Sequence, residues 1–191
     1  MSTDTTATPK TALILVDVIR SFFDPKFPNY YEGVLDVIAP MRALREQARK
    51  SGAIVVHAVE RHRPGFHDFE WGKLPLHHME GAEDAEFFKD FRPEGPNETL
   101  ILKRRFSAFF ATDLALFLTE QKVERVVIAG VKTNVCIRAT AQDAFANGFA
   151  PVLVREATNS NRPHLAEASL EDVDRYFGRV VDLAAGLEML A

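Results

Sequence analysis

The sequence predicts one α/β domain in three layers, with helices on both faces of a mostly parallel six-stranded sheet. Two observations predict it. Apolar runs such as Ala12 to Val16 and Val126 to Ala129 are continuous rather than alternating, as expected of strands buried on both faces. Between such runs lie segments with apolar residues at helical spacing, and strands alternating with helices imply parallel βαβ units with right-handed crossovers. A chain of 191 residues can bury one sizeable core but not two comfortable ones.

Taken in order, Ala12 to Val16 is the first strand and Asp17 ends it. A carboxylate after an apolar run is costly to desolvate unless something pairs with it. Ligands of open α/β sheets bind at the carboxyl ends of strands, so Asp17 is a candidate site residue. Arg20 to Pro25 reads as a loop with apolar anchors. From Gly33 to Ser51, residues Val34, Val37, Ile38, Met41, Leu44 and Ala48 approach helical spacing, and Gly52 closes that helix. Ala53 to Val59 is the second strand. Glu60-Arg-His62 follows it, opening a stretch without clear periodicity that runs to about Pro96 and holds His62, His67, His77 and His78. Long segments of this kind are more often functional than idle.

Thr99 to Leu102 is the third strand, and Lys103 follows it as Asp17 follows the first. Thr112 is placed to cap a helix through Glu120, and Val123 to Ala129 is the fourth strand, broken at Gly130. A helix from Cys136 to Asn147 stops at Gly148, and Ala150 to Val154 is the fifth strand. Proline in the first turn opens a helix from Pro163 to Phe177, ahead of a sixth strand over Arg179 to Asp182. The outline is Rossmann-like. It contains neither Gly-x-Gly-x-x-Gly nor a P-loop, so a nucleotide is not the default ligand.

Composition narrows the function. The net charge of −4 leaves no basic surplus for a nucleic-acid backbone, despite the local clusters Arg61-His-Arg63 and Lys103-Arg-Arg105. One cysteine cannot form an internal disulfide, which fits a reducing compartment. Met1 to Lys10 is polar and lacks the apolar stretch of a secretory signal. No run approaches the roughly 18 apolar residues of a membrane span. The expectation is a cytoplasmic protein without nucleic-acid or membrane partners: a disordered lead over residues 1–10, then one domain over 11–191.

Cys136 lies where an apolar strand breaks at Gly130 and enters a helix. At a helix start the dipole favours thiolate and hence a nucleophile, although a free cysteine could equally be a small buried hydrophobe. Asp17, Lys103 and Cys136 each sit at or just past the carboxyl end of an expected strand, so one crevice could collect all three.

The blocks Leu13-Ile-Leu-Val-Asp17 with Phe22-Phe23, Lys103-Arg-Arg-Phe-Ser-Ala-Phe109 with Thr112-Asp-Leu114, and Gly130-Val-Lys-Thr-Asn-Val-Cys136 occur in that order. Together they resemble the isochorismatase-like cysteine hydrolase superfamily, over nearly the whole chain. The resemblance implies an Asp17, Lys103, Cys136 triad that hydrolyses amides or ureides through a thioester. It also implies a cis peptide at Val131-Lys132 and an oxyanion hole from the backbone N–H groups of Lys132 and Cys136. Members usually form dimers or tetramers, so a homodimer or homotetramer is expected. Vinyl-ether cleavage, as in isochorismatases, and a catalytically silent binding role are the rival classes.

Nicotinamidase-type members bind a divalent metal through an Asp-x-His pair after the second strand and a third histidine. The matching places here read Glu60-Arg-His62 and Leu74-Pro-Leu-His77-His78. Glu60, His62 and His77 could therefore ligate zinc or iron. The preferred expectation is no cofactor, with Glu60, His62 and Arg63 lining a polar pocket. His62-Arg-Pro-Gly65 and Phe66-His-Asp-Phe-Glu70 look more like the ureide-cleaving branch. Phe22, Asn134 and Arg138 complete the expected pocket, suited to a small biuret, ureidoacrylate or N-carbamoyl substrate.

Overall fold

The computed structural model describes residues 9–191. Most of the expected polar lead, residues 1–8, lies outside the described residues. Lys10 is tied down, its carbonyl accepting from the N–H groups of Glu124 and Arg125. The strands are β1 (Thr11–Val16), β2 (Ile54–Glu60), β3 (Glu98–Lys103), β4 (Arg125–Val131), β5 (Ala150–Asn159) and β6 (Arg179–Val181). They form one six-stranded sheet in the order β3-β2-β1-β4-β5-β6, and every pairing is parallel. The expected "mostly parallel" sheet is thus wholly so.

The helices are α1 (Arg20–Phe23), α2 (Ile38–Ser51), α3 (Leu114–Glu120), α4 (Arg138–Ala146), α5 (Pro163–Tyr176) and α6 (Leu183–Met189). Because side chains alternate along a strand, β1 feeds both layers. Leu13 and Leu15 pack with Met41, Leu44 and Ala48 of α2, while Ala12, Ile14 and Val16 pack with Leu118, Ala141 and Val173 from α3, α4 and α5. All six β1 residues are buried, which explains the unbroken apolar run. Helix α2 ends where Gly52 turns left-handed, φ 77°, as its position implied. The N-cap of α3 is Asp113 and not Thr112, which lies one residue earlier, although Thr112 Oγ1 accepts from the Leu114 N–H at 3.3 Å.

Four elements differ from the sequence expectation: Arg20–Phe23, expected as loop, is the short helix α1, β5 runs on past Val154 to Asn159, and the other two are α6 and the start of α4. Helix α6 was not foreseen, since a seven-residue segment with Gly186 inside it has poor intrinsic helicity. It forms because Asp182 caps it and because a bare glycine lets it lie on β5. A Cβ on Gly186 would stand 2.6 Å from Val154. The helix expected to start at Cys136 instead begins with a π-helical turn over Thr133–Ile137, which runs into α4.

The chain order reverses between β1 and β4, and the carboxyl ends of the strands on either side of such a switch point form the crevice of this type of sheet. Two local features shape it. Asp17 adopts φ 54°, turning the chain out of β1. Gly130, at φ 127°, lies so close to β1 that an added Cβ would be 2.1 Å from the Val16 carbonyl oxygen. Between Ile128 and Gly130 the pairing with β5 jumps from Leu153 to Thr158, and this bulge brings the end of β5 against the turn after β4. There Thr158 Oγ1 meets Thr133 Oγ1 at 2.8 Å, and Ser160 Oγ donates to Asn134 Oδ1 at 2.6 Å.

Gly130→Ala should therefore destabilise the protein by about 3 kcal/mol or more, combining a backbone clash with a disallowed φ. Urea unfolding measures it; a loss under about 1 kcal/mol would show that β1 and β4 can separate without penalty.

Candidate active site

Asp17, Lys103 and Cys136 meet at this crevice. Lys103 ends β3, two strands from β1, and pairs in register with Glu60 of β2. Its extended side chain crosses back, placing Nζ 2.8 Å from Asp17 Oδ2 and 3.7 Å from Cys136 Sγ. Nζ also donates to the Arg105 carbonyl at 3.3 Å. Asp17 Oδ1 accepts the Glu60 N–H at 2.9 Å, which fixes the carboxylate. Asp17 and Lys103 have no exposed surface, and Cys136 keeps 5 %. The peptide between Val131 and Lys132 is cis, as the resemblance implied.

The electrostatics correct one expectation. Burial pushes the Cys136 thiol well above its ordinary pKa, and the charges of Asp17 and Glu60 push the same way, against the pull of Lys103. The resting sulfur is therefore a thiol and not the thiolate that a helix start suggested. Burial opposes the charge on Lys103 too, but Asp17, Cys136 and Glu60 outweigh it and hold the ammonium above its usual range. At neutral pH Lys103 is a fixed positive charge.

Cys136 opens onto a cavity of about 990 Å³, which Phe22, Glu60, His77, Lys132, Asn134 and Arg138 also line. His62 stands behind that wall with no exposed surface. Arg63 does not join the site. The chain is pinned at His62, which exchanges backbone hydrogen bonds with His78 and Glu80, and then turns outward through Pro64 and Gly65, leaving Arg63 in solvent. Arg138 reaches the cavity but is already paired with Asp172 at 3.0 Å.

Beside Glu60 the structure gathers His62 and His77 with a fourth residue, Glu70, which sequence reasoning did not assign. One donor atom from each lies within 4.8 Å of the others. His62 Nε2 is 3.7 Å from Glu60 Oε1 and 3.8 Å from Glu70 Oε2, and His77 Nε2 is 3.6 Å from Glu60 Oε2. Glu60 Oε1, His62 Nε2 and both Glu70 carboxylate oxygens are buried without a hydrogen-bond partner among the described residues. His62 Nδ1 is held by Asp68 Oδ2 at 2.9 Å and His77 Nδ1 by the Pro75 carbonyl at 2.6 Å, so each ring turns Nε2 toward the cluster. Oriented imidazoles and carboxylate oxygens free of hydrogen bonds suit a divalent cation, although His78 Nδ1 holds Glu60 Oε2 at 3.0 Å and Arg105 Nε stands 3.8 Å from Glu70 Oε1. The sequence signals for Glu70 are its place in the aperiodic segment after β2 and in the Phe66-His-Asp-Phe-Glu70 block, neither of which points to a ligand role.

A thiol beside a buried carboxylate and lysine, at the switch point of a parallel sheet, is the arrangement of a cysteine hydrolase. The isochorismatase domain family matches residues 11–185. Maleamate amidohydrolase of Pseudomonas putida is 35 % identical over 187 residues, covering 95 % of this chain and 87 % of that protein. N-carbamoylsarcosine amidase of an Arthrobacter species is 28 % identical over 176 residues, covering 88 % and 67 %. Among solved structures, the pyrazinamidase of Pyrococcus horikoshii in complex with zinc superposes with a TM-score of 0.81 at 31 % identity, covering 91 % of this chain and 99 % of that one. The chain belongs to the isochorismatase family, within the cysteine hydrolase superfamily. With amidohydrolases as its relatives, it is a hydrolase of carbon–nitrogen amide bonds.

Alkylation of Cys136 by iodoacetamide should be slow at pH 7 and still rising through pH 9, because burial and two carboxylates hold the proton on sulfur. Asp17→Asn should accelerate alkylation at pH 8 by removing one of those charges, and asparagine tolerates the left-handed backbone at this position. A rate that plateaus below pH 7, followed by mass spectrometry, would show a preformed thiolate instead.

Proposed function

We propose that the protein hydrolyses the carbon–nitrogen bond of a small polar amide or ureide, of the ureidoacrylate, N-carbamoyl, biuret or maleamate type, through a thioester on Cys136. The observation that carries this reading is Lys103 Nζ set between Asp17 and Cys136, with Cys136 lining the cavity and the other two buried behind it. Among the described residues Asp17 Oδ2 has no hydrogen-bond partner beyond its ion pair, so it can accept the Sγ proton as sulfur bonds to the carbonyl carbon. Lys103 stays charged throughout and stabilises the carboxylate and the developing thiolate. The backbone N–H groups of Lys132 and Cys136 receive the oxyanion. The Lys132 carbonyl accepts from the N–H groups of Val135 and Ile137, which steadies that turn.

Collapse of the tetrahedral adduct breaks the carbon–nitrogen bond, and Asp17 returns its proton to the departing nitrogen. Water then attacks the thioester, giving up a proton to Asp17, and the sulfur leaves and is reprotonated. The products are ammonia and a carboxylate or carbamate. Cys136→Ala should abolish ammonia release from a panel of maleamate, ureidoacrylate, N-carbamoyl acids, biuret and nicotinamide. Asp17→Asn should lower kcat by about 10³-fold, the scale of acid–base catalysis. Full activity in the alanine variant would sink the thioester route.

Glu60, His62, Glu70 and His77 would hold a divalent cation. Bound there, it would supply a Lewis-acid centre at the pocket wall able to orient a substrate heteroatom. Without a bound metal the Glu60 carboxylate, 3.6 Å from His77 Nε2, raises the His77 pKa to about 9 against the opposing effect of burial. Ligation requires neutral imidazole, so the proton must leave, and affinity should strengthen as pH rises toward that value. Elemental analysis should find a metal that His62→Ala loses. A metal content unchanged in that variant would assign these residues to hydrogen bonding alone.

A further inference from the structure

Four lysine or arginine side chains line the cavity around Cys136. Arg105 pairs with Asp68 at 3.1 Å, Arg138 pairs with Asp172 at 3.0 Å, and Lys73 stands exposed at the rim. Lys132 differs from these. Its side chain is half-buried, and among the described residues no carboxylate lies within 4.0 Å of its Nζ. The ammonium is held instead over two aromatic faces, 5.6 Å from the Phe22 ring centroid and 5.4 Å from that of Tyr31. Tyr31 is itself fastened, its hydroxyl donating to Asn159 Oδ1 at 2.7 Å, so the cation sits on a rigid platform.

An ammonium has three donors and no acceptor role, and burying it without an anion is costly. The two rings offset part of that cost. Burial pushes the Lys132 pKa down and Arg162 adds to this, against the pull of Cys136, so an anion seated here would relieve a penalty already present. Lys132 also belongs to the turn that carries Cys136. A group bound at Nζ and a carbonyl over the sulfur are therefore joined by one short span.

We propose that Lys132 Nζ binds a carboxylate of the substrate, so that the enzyme acts on an amide or carbamoyl group carried by a short carboxylic acid in preference to neutral ureides and amides. This rests on the amide-hydrolase reading of Cys136. It separates the panel: maleamate, ureidoacrylate and N-carbamoyl acids carry the required anion, while biuret and nicotinamide offer Lys132 only a carbonyl oxygen or a ring nitrogen.

The test compares maleamate, succinamate and N-carbamoylglycine with their methyl esters, which keep the scissile bond and lose the charge. The expected result is a wild-type preference for the acids that falls about 10- to 100-fold in Lys132→Met, mainly through KM, and recovers in part in Lys132→Arg. Calorimetry on the Cys136→Ala protein measures acid binding without turnover, and Lys132→Met should weaken it by a similar factor. Acid-over-ester preference and acid binding that both survive Lys132→Met would overturn the proposal, as would binding of none of the three acids. If the acids bind through Lys132 but wild type hydrolyses nothing in the panel, the carboxylate site stands and the amidase reading falls.

Discussion

A lysine ammonium with no exposed surface is the constraint on which the carboxyl end of the sheet depends. Removing such a charge from water costs several kcal/mol even after the surroundings relax, and an ion pair offsets this only with good geometry and satisfied partners. Lys103 has both. Asp17 lies at 2.8 Å, a carbonyl takes a further donor, and Glu60 stands opposite in register. The strand order makes the arrangement possible, since β2 lies between β1 and β3 and provides the Glu60 N–H that holds Asp17 in place. The left-handed turn at Asp17 and the bare Gly130 are further local departures that let β1 and β4 close on this charge.

The same charge balance decides the state of the sulfur. A helix terminus contributes roughly 0.3–1 kcal/mol to an adjacent anion, less than one pKa unit, whereas full burial can shift a group by several units. Burial wins at Cys136, and the carboxylates that stabilise Lys103 also discourage a second negative charge. A protonated thiol beside an acceptor carboxylate is a store of reactivity released by proton transfer, and it resists oxidation better than a standing thiolate.

The sheet was legible because buried parallel strands leave long apolar runs, and the strand ends were legible because Asp17 and Lys103 are charges that follow such runs directly. Helix α6 was hidden because tertiary packing overrides its weak propensity. The pocket divided along similar lines. Phe22, Glu60, Asn134 and Arg138 line the cavity, and all lie on or beside regular elements. Arg63, three residues past β2, does not, because there the path of the chain depends on the Pro64-Gly65 turn, which periodicity cannot describe. Glu70 and its unpartnered oxygens escaped notice for the same reason. Lys132 was read only as a backbone donor, since no sequence pattern reveals that two distant aromatic rings will hold its side chain inside the cavity.

That division has a mechanical meaning. Asp17, Lys103 and the turn before Cys136 are anchored at strand ends, where the sheet's register fixes their positions. Three of the four residues clustered as metal donors, His62, Glu70 and His77, come from the aperiodic segment after β2 and are aimed by Asp68 and a single carbonyl. Changes in that segment can retune what binds at the pocket wall while leaving the sulfur and its partners in place. Glu60 is the exception. It closes β2, faces Lys103 on one side and the histidines on the other, and its backbone holds Asp17. Its carboxylate helps to hold Lys103 charged and also belongs to the donor cluster, so a substitution there acts on the triad through charge and on the binding wall directly, while the backbone bond to Asp17 remains.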